Sequence, residues 1–298
     1  MSISFYFARS AVGLLRAAGR DDRRERQSMA DSEADGAPGG IDTSTAHIAR
    51  VYNYWLGGKD NYAPDRAAAA QVIEAYPPIR ASVRAQRAFL RRAVGYLAGE
   101  AGLRQFLDIG TGLPSADNTH EVAQRAAPSA RIVYVDNDPI VLAHARALLT
   151  SSPEGATAYL DADLRDTGKI LQAAAGILDF GEPVAVMLVG VLHCIPDADD
   201  PAGLVRQLMA SLAPGSHLVI AHPASDVHAE QMGDAAARFN RMMDDGVTLR
   251  THAQVGRFLA GLELAEPGLV QLHRWRPDSE EPDPGGELAN YGAVARKP

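Results

Sequence analysis

The run Phe106–Pro114, FLDIGTGLP, constrains this chain more than any other feature. It is a short apolar stretch that ends in Asp108 and then sets Gly110 and Gly112 two residues apart. A buried strand that stops in a glycine-rich turn lets a ligand approach bare backbone. A second apolar run, RIVYVD, ends in another acid, Asp136, twenty-eight residues after Asp108. Two neighbouring parallel strands would carry both carboxylates to the carboxyl edge of one sheet. An adenosine-type cofactor binds at such an edge, its ribose hydroxyls chelated by the second acid.

The details narrow the cofactor. A dinucleotide fingerprint wants a third glycine, but Ser115 stands in its place, and the ribose acid comes later than the usual ~20 residues. No Gly-Lys-Ser/Thr ending marks a P-loop. From Gly110 to Thr119 there is no Lys or Arg for a pyrophosphate, whereas Asp108 and Asp117 suit a cationic ligand. S-adenosylmethionine fits this pattern: an adenosine, no phosphate, a sulfonium and an ammonium. A nucleotide-dependent oxidoreductase is the rival enzyme reading. A noncatalytic S-adenosylmethionine-binding regulatory module is the rival outside enzymes.

Five blocks carry a family likeness: His47–Tyr62, Phe106–Gln124, Val133–Leu149, Tyr159–Asp166 and Leu188–Asp197. Through them the chain resembles the actinobacterial S-adenosylmethionine-dependent methyltransferase family once known as a domain of unknown function. The likeness runs from about Ile41 to the C-terminus and departs at Cys194, where a bulky apolar residue is expected. It implies a three-layer, Rossmann-like class I methyltransferase sandwich with a seven-stranded, mostly parallel sheet and an antiparallel last strand. It further implies a tail over 1–40, a helical cap or lid over 41–100 and the α/β core over 101–298. Asp108, Gly110, Thr111 and Gly112 would hold the methionine end, and Asp136 with Asn137 the ribose. Asp163 and the Leu164 N–H would meet the adenine, and Gly190 would complete the cofactor site.

Composition bounds the partners. A formal charge of −8, from 29 basic and 37 acidic residues, argues against a nonspecific nucleic-acid surface. The single Cys194 forms no internal disulfide and builds no metal site alone, so a reducing cytoplasm is the simplest setting. No metal and no membrane are expected, because the run Ile3–Phe7 is too short to span a bilayer. The first 40 residues read as a disordered tail, with Met29 an alternative start. The acceptor is expected to be a small molecule, and the oligomeric state is open.

Along the chain, Asp42, Thr43 and Ser44 are N-cap candidates for a helix through Trp55 that Gly57-Gly58 stops. Helices follow over Asp65–Ala75 and from Ile79, the latter with Arg80, Arg84, Arg87 and Arg91 as a solvated row. Strands are expected at Gln105–Ile109, Arg131–Asp136, Ala156–Asp161, Val184–Val191, His217–His222 and Asn290–Arg296. Intervening helices make the sheet parallel with right-handed crossovers. A single helix is expected over Asp226–Asp244 and another over Thr251–Ala260.

Two groups remain beside the cofactor set. His193, just past the fourth strand, either accepts a proton from a substrate hydroxyl or amine, or is a structural histidine lining the pocket. Tyr54, Trp55, Gly57, Gly58, Lys59 and Tyr62 combine aromatic, cationic and flexible residues before the fold proper. They read as a lid over the cofactor or acceptor, with Gly58 special in conformation and Lys59 facing a carboxylate.

Overall fold

Alternate residues of each central strand point into different helical layers, and that fixes the architecture. The computed structural model describes residues 43–148, 150–243, 246–279, 281 and 284–298. The expected tail and the Asp42 cap lie outside these residues. The parallel strands are β1 (Gln105–Ile109), β2 (Arg131–Asp136), β3 (Ala156–Asp161), β4 (Ala185–Val189) and β5 (His217–Pro223). Leu107, Ile109, Val133, Val186 and Leu188 join one apolar cluster, while Phe106, Ile132, Tyr134, Ala185 and Met187 join another. A strand buried on both faces needs apolar residues at both parities, which is why these segments read as unbroken runs.

Among the described residues three helices precede β1: α1 (Ile48–Leu56), α2 (Ala63–Ala75) and α3 (Ile79–Gly99). The others are α4 (Thr119–Ala126), α5 (Pro139–Leu148), α6 (Thr167–Ala174), α7 (Pro201–Ala210), α8 (Ala229–Asn240) and the short α9 (His252–Gly256). The capping box expected at α4 is present: Asn118 and Glu121 bond each other's backbone N–H. At α1 the cap is His47, whose ring nitrogen accepts the Ala49 N–H, in place of Thr43 or Ser44. Gly57 closes α1 in the left-handed region at φ 85°.

The strand order is β3-β2-β1-β4-β5-β8, with β8 (Asn290–Arg296) antiparallel to β5. The far edge of β8 pairs with two short pieces, β6 (Glu263–Leu264) and β7 (Val270–Gln271). Five residues, including Pro267 and Gly268, bulge out between those pieces. The sheet therefore has eight strands in seven columns, with β6 and β7 sharing the last column. β1 lies between β2 and β4, so consecutive crossovers leave it in opposite directions. A crevice opens at such a switch point, outside the carboxyl ends of the strands.

Several expected boundaries shift for local reasons. β4 stops at Val189 because Gly190 turns into the left-handed region at φ 83°. The helix expected over Asp226–Asp244 spans only α8, opened by His228 at φ 51°. The Thr251–Ala260 helix changes to a tighter 3₁₀ turn at Arg257. The arginine row on α3 is half anchored. Arg80 and Arg84 are exposed, whereas Arg91 pairs with Asp278 and Glu281 and Arg87 binds the loop after β1. Among the described residues no helix is long and apolar enough to cross a membrane.

Candidate functional site

A cavity of about 670 Å³ opens at the switch point, and its floor is the set of loops after β1, β2 and β3. Gly110 and Gly112 both lie in the left-handed region, at φ 75° and 66°. Their backbone ties β1 to β2: the Gly110 N–H donates to the Val135 carbonyl at 2.8 Å, and the Gly112 N–H donates to Asp136 Oδ2 at 2.9 Å. Asp136 Oδ1 accepts the Asp138 N–H at 3.0 Å. Each Asp136 oxygen thus has one protein partner and keeps acceptor capacity for a ligand. Thr111 donates its hydroxyl to the Val135 carbonyl at 3.1 Å and also lines the cavity.

The two acids are not level. Asp108 stands opposite Tyr134 in the sheet, two residues before Asp136, and points toward α3 and α4. Its Oδ2 accepts the Thr119 hydroxyl at 2.6 Å. Burial pushes the Asp108 carboxyl up to about 6, against the pull of the Thr119 bond and Arg87. Arg87 lines the cavity as well. Its Nη2 holds the Ala116 and Asp117 carbonyls, while its Nε–H is buried without a partner among the described residues.

At the end of β3, Asp163 faces the cavity but is already engaged. It accepts the Arg165 N–H at 2.8 Å and the Arg165 guanidinium at 3.0 Å, and Asn137 Nδ2 reaches it at 3.3 Å. The exocyclic-amine contact expected of Asp163 therefore competes with Arg165. Leu164 lines the cavity with its side chain buried, and its backbone N–H makes no hydrogen bond to the described residues. Gly190 also lines the cavity; a Cβ there would run into the Gln86 amide.

α1 forms the roof. Asp65, fully buried, accepts the His47 N–H at 2.8 Å, the Arg50 guanidinium at 3.1 Å and the Tyr62 N–H at 2.7 Å, pinning α1 to α2. His47 Nδ1 lies 3.0 Å from Asp138 Oδ2, so the roof touches the β2 loop directly. Of the expected lid residues, Trp55, Gly57 and Gly58 line the cavity; Tyr54, Lys59 and Tyr62 do not. Trp55 is a buried anchor, donating to the Ala69 carbonyl and packing on Phe239. Tyr54 and Tyr62 sit under the guanidiniums of Arg80 and Arg50. Lys59 is exposed with no ion pair among the described residues, and the neighbouring Asp60 faces His144 at 4.0 Å instead. The left-handed glycine is Gly57, not Gly58, whose added Cβ would strike Asn53.

On the opposite wall, past β4, His193 lines the cavity and packs edge-on against His222. Burial and the nearby Arg250 hold its imidazole down to about 4, so it is neutral at physiological pH. Sequence reasoning missed Arg250. Its guanidinium is 2% exposed and donates to the Leu192 and Ile195 carbonyls, Asp197 and His222, clamping the turn that carries His193. No motif around Arg250 announces this, because every partner is remote in the chain.

The residues present fit S-adenosylmethionine. Asp108 matches an ammonium and the orphaned Arg87 Nε–H a carboxylate. The Leu164 N–H matches a ring nitrogen, and nothing lies within 4 Å of a Cβ built on Gly112, which leaves room above the loop. A pH effect follows. Affinity for the cationic cofactor is expected to fall as pH drops through about 6 and Asp108 takes a proton. Stability runs the other way. Between 3.8 and about 6 the folded state binds more protons than the unfolded one, so this group's contribution to stability grows as pH falls. Calorimetric titrations and thermal melts between about pH 5 and pH 8 separate the two trends.

Comparison with known proteins agrees with this geometry. The family model described as S-adenosyl methyltransferase matches residues 34–298. The chain is similar to a DUF574-family protein from Streptomyces avermitilis MA-4680, at 45% identity and a TM-score of 0.82, covering 86% of this chain and 99% of that one. It is also similar to a protein described as a candidate methyltransferase from Thermobifida fusca YX, at 41% identity and a TM-score of 0.78, covering 88% and 98%. No curated protein matches the chain significantly. The two similar structures and the sheet order bear out the expected fold class. With a match that spans the roof, the glycine loop and the whole sheet, the chain belongs to the S-adenosyl methyltransferase family and is a methyltransferase of that cofactor class.

Proposed function

We propose that the chain transfers a methyl group from S-adenosylmethionine, held at the β1–β3 rim, to a small-molecule acceptor bound beside it. The observation that carries this reading is the continuity of the cavity. One continuous cavity joins the Asp108–Gly112 and Asp136 loops to a second wall past β4 and β5. Its volume of about 670 Å³ falls within the ~300–1,000 Å³ typical of small-ligand sites. A noncatalytic module would need only the first of these walls. An oxidoreductase would need a pyrophosphate cradle. Of the two guanidiniums on the lining, Arg165 is committed to Asp163 and Asp199, and Arg87 holds two carbonyls with only its Nε–H left for a ligand.

Bound here, the cofactor supplies a methyl carbon already activated by a positively charged sulfur, which leaves the protein chiefly the task of alignment. Asp136 would accept the ribose hydroxyls and Asp108 would hold the ammonium. The glycine loop would give close backbone approach, and α1 would exclude water. Asp136→Ala is expected to weaken S-adenosylmethionine binding by about 1–3 kcal/mol, the range for hydrogen bonds to a charged group. Calorimetry on the folded variant checks it; unchanged affinity would take Asp136 out of the ribose site and the reading with it.

A further inference from the structure

The charges on the cavity lining are segregated. Asp60, Arg87, Asp108, Asp136, Asp163 and Arg165 lie on the α1–α2 loop, on α3, at the ends of β1 and β2, or in the loop after β3. The opposite half contains none among the described residues. Its wall is Met232, Ala236 and Phe239 from α8, Val247 and Leu249 after it, and Ile195 before α7. An ion entering this half would lose its hydration and meet no charged side chain on the described lining, and Arg250 behind it is already paired with Asp197, so entry costs several kcal/mol.

Two neutral polar groups interrupt that apolar wall, and both lie at the carboxyl end of β5. His193 packs against His222 of β5, and Asn290 is paired with Pro223 in the β5–β8 register. The Asn290 side chain is buried and lines the cavity, yet its amide makes no hydrogen bond with the described residues. His193 Nδ1 is likewise buried without a hydrogen-bond partner among them. Nearby polar groups are satisfied: the Tyr52 hydroxyl donates to the Val83 carbonyl, and the Tyr76 hydroxyl accepts the Ala289 N–H. Buried polar groups are ordinarily paired, so a carboxamide and an imidazole left open on one wall await a ligand's donor and acceptor.

We propose that this half is the acceptor site for an uncharged molecule with an apolar body, whose hydroxyl or N–H is held by His193 and Asn290. The proposal rests on the methyl-transfer reading and specifies its acceptor. Carboxylates, phosphates and ammonium compounds would be rejected by desolvation, so selectivity comes from the absence of charge as much as from the two polar contacts.

The test uses the full chain and two probes of one ring system, neutral 2-naphthol and anionic 2-naphthoate, with unsubstituted naphthalene as the apolar reference. S-adenosylhomocysteine is titrated first by calorimetry, and each probe is then titrated into the saturated protein. 2-Naphthol is expected to bind at least about tenfold more tightly than 2-naphthoate. Ala236→Phe, which fills the apolar half, is expected to weaken 2-naphthol at least about tenfold while leaving S-adenosylhomocysteine within about twofold. Asn290→Leu should erase the preference for 2-naphthol over naphthalene. Equal or tighter binding of 2-naphthoate, binding of neither probe, or an unchanged 2-naphthol affinity in Ala236→Phe would each overturn the proposal while leaving the cofactor site standing. Failure of S-adenosylhomocysteine itself to bind would overturn the methyl-transfer reading and this proposal together.

Discussion

Gly110→Ala is expected to lower stability by about 2–5 kcal/mol and to abolish cofactor binding, whereas Gly112→Ala should cost only about 1–2 kcal/mol. Both glycines are left-handed, so each substitution incurs the backbone term, about 1–2 kcal/mol for an L-residue. They differ in what a methyl group would meet. At Gly110 it would lie 2.5 Å from the Val191 Cβ, inside the turn that follows β4, so two loops would have to part. Overpacking of that kind adds about 1–3 kcal/mol. At Gly112 nothing lies within 4 Å, because the position faces the cavity. Gly112→Ala should therefore fold, yet bind S-adenosylmethionine more weakly as its methyl enters the ligand's space. Denaturant unfolding of the two variants, followed by calorimetry on whichever folds, checks the contrast. Equal stability losses would mean that the Gly110–Val191 contact does not organise the site.

Arg250→Leu should be as damaging by a different route. The guanidinium donates to Leu192 O at 2.9 Å, Ile195 O at 2.7 Å, Asp197 Oδ1 at 2.7 Å and His222 Nε2 at 2.9 Å. An arginine only donates, so His222 accepts at Nε2 and carries its proton on Nδ1, donated to the Pro223 carbonyl at 2.9 Å. Burial, with His193 close by, holds the His222 imidazole down to about 3, which keeps it in this neutral form. Removing the guanidinium leaves two buried carbonyls and one imidazole nitrogen unpaired. The expected loss is about 3–5 kcal/mol, as for breaking a buried charged network. Arg250→Lys should recover little, since one ammonium cannot span acceptors spread around a planar fork. Thermal denaturation measures the loss. A variant within about 0.5 kcal/mol of wild type would show that the Leu192–Asp197 turn holds itself.

The half of the cavity proposed for the cofactor is largely legible in the sequence as a set of local turns, and the half proposed for the acceptor is not. β1, β2, β3 and β8 begin and end where expected; β1, β2 and β8 are buried along nearly their whole length, which leaves little room for polar residues within them. The acids and glycines that follow β1 and β2 are local features, tied to turns whose chemistry is visible over a few residues. The acceptor wall is assembled from Ile195, Met232, Ala236, Leu249 and Asn290, positions nearly a hundred residues apart that share no motif. Arg250 was illegible for the same reason. The lid region was legible as a site element but misread in detail. Its aromatic residues suggested closure over a ligand, whereas Trp55 is spent on the core and Tyr54 and Tyr62 on arginines. Ion-pairing and stacking partners of this kind are set by tertiary packing, which a local pattern does not encode.

The most direct test of the account is a calorimetric titration of the purified chain with S-adenosylmethionine, S-adenosylhomocysteine and NAD near neutral pH. From the geometry at Asp108, Arg87 and Asp136 the two adenosyl sulfur compounds are expected to bind one-to-one, and with no free phosphate cradle among the described residues NAD is expected to leave no measurable heat. Tighter binding of NAD than of S-adenosylmethionine would contradict the assignment of the cavity.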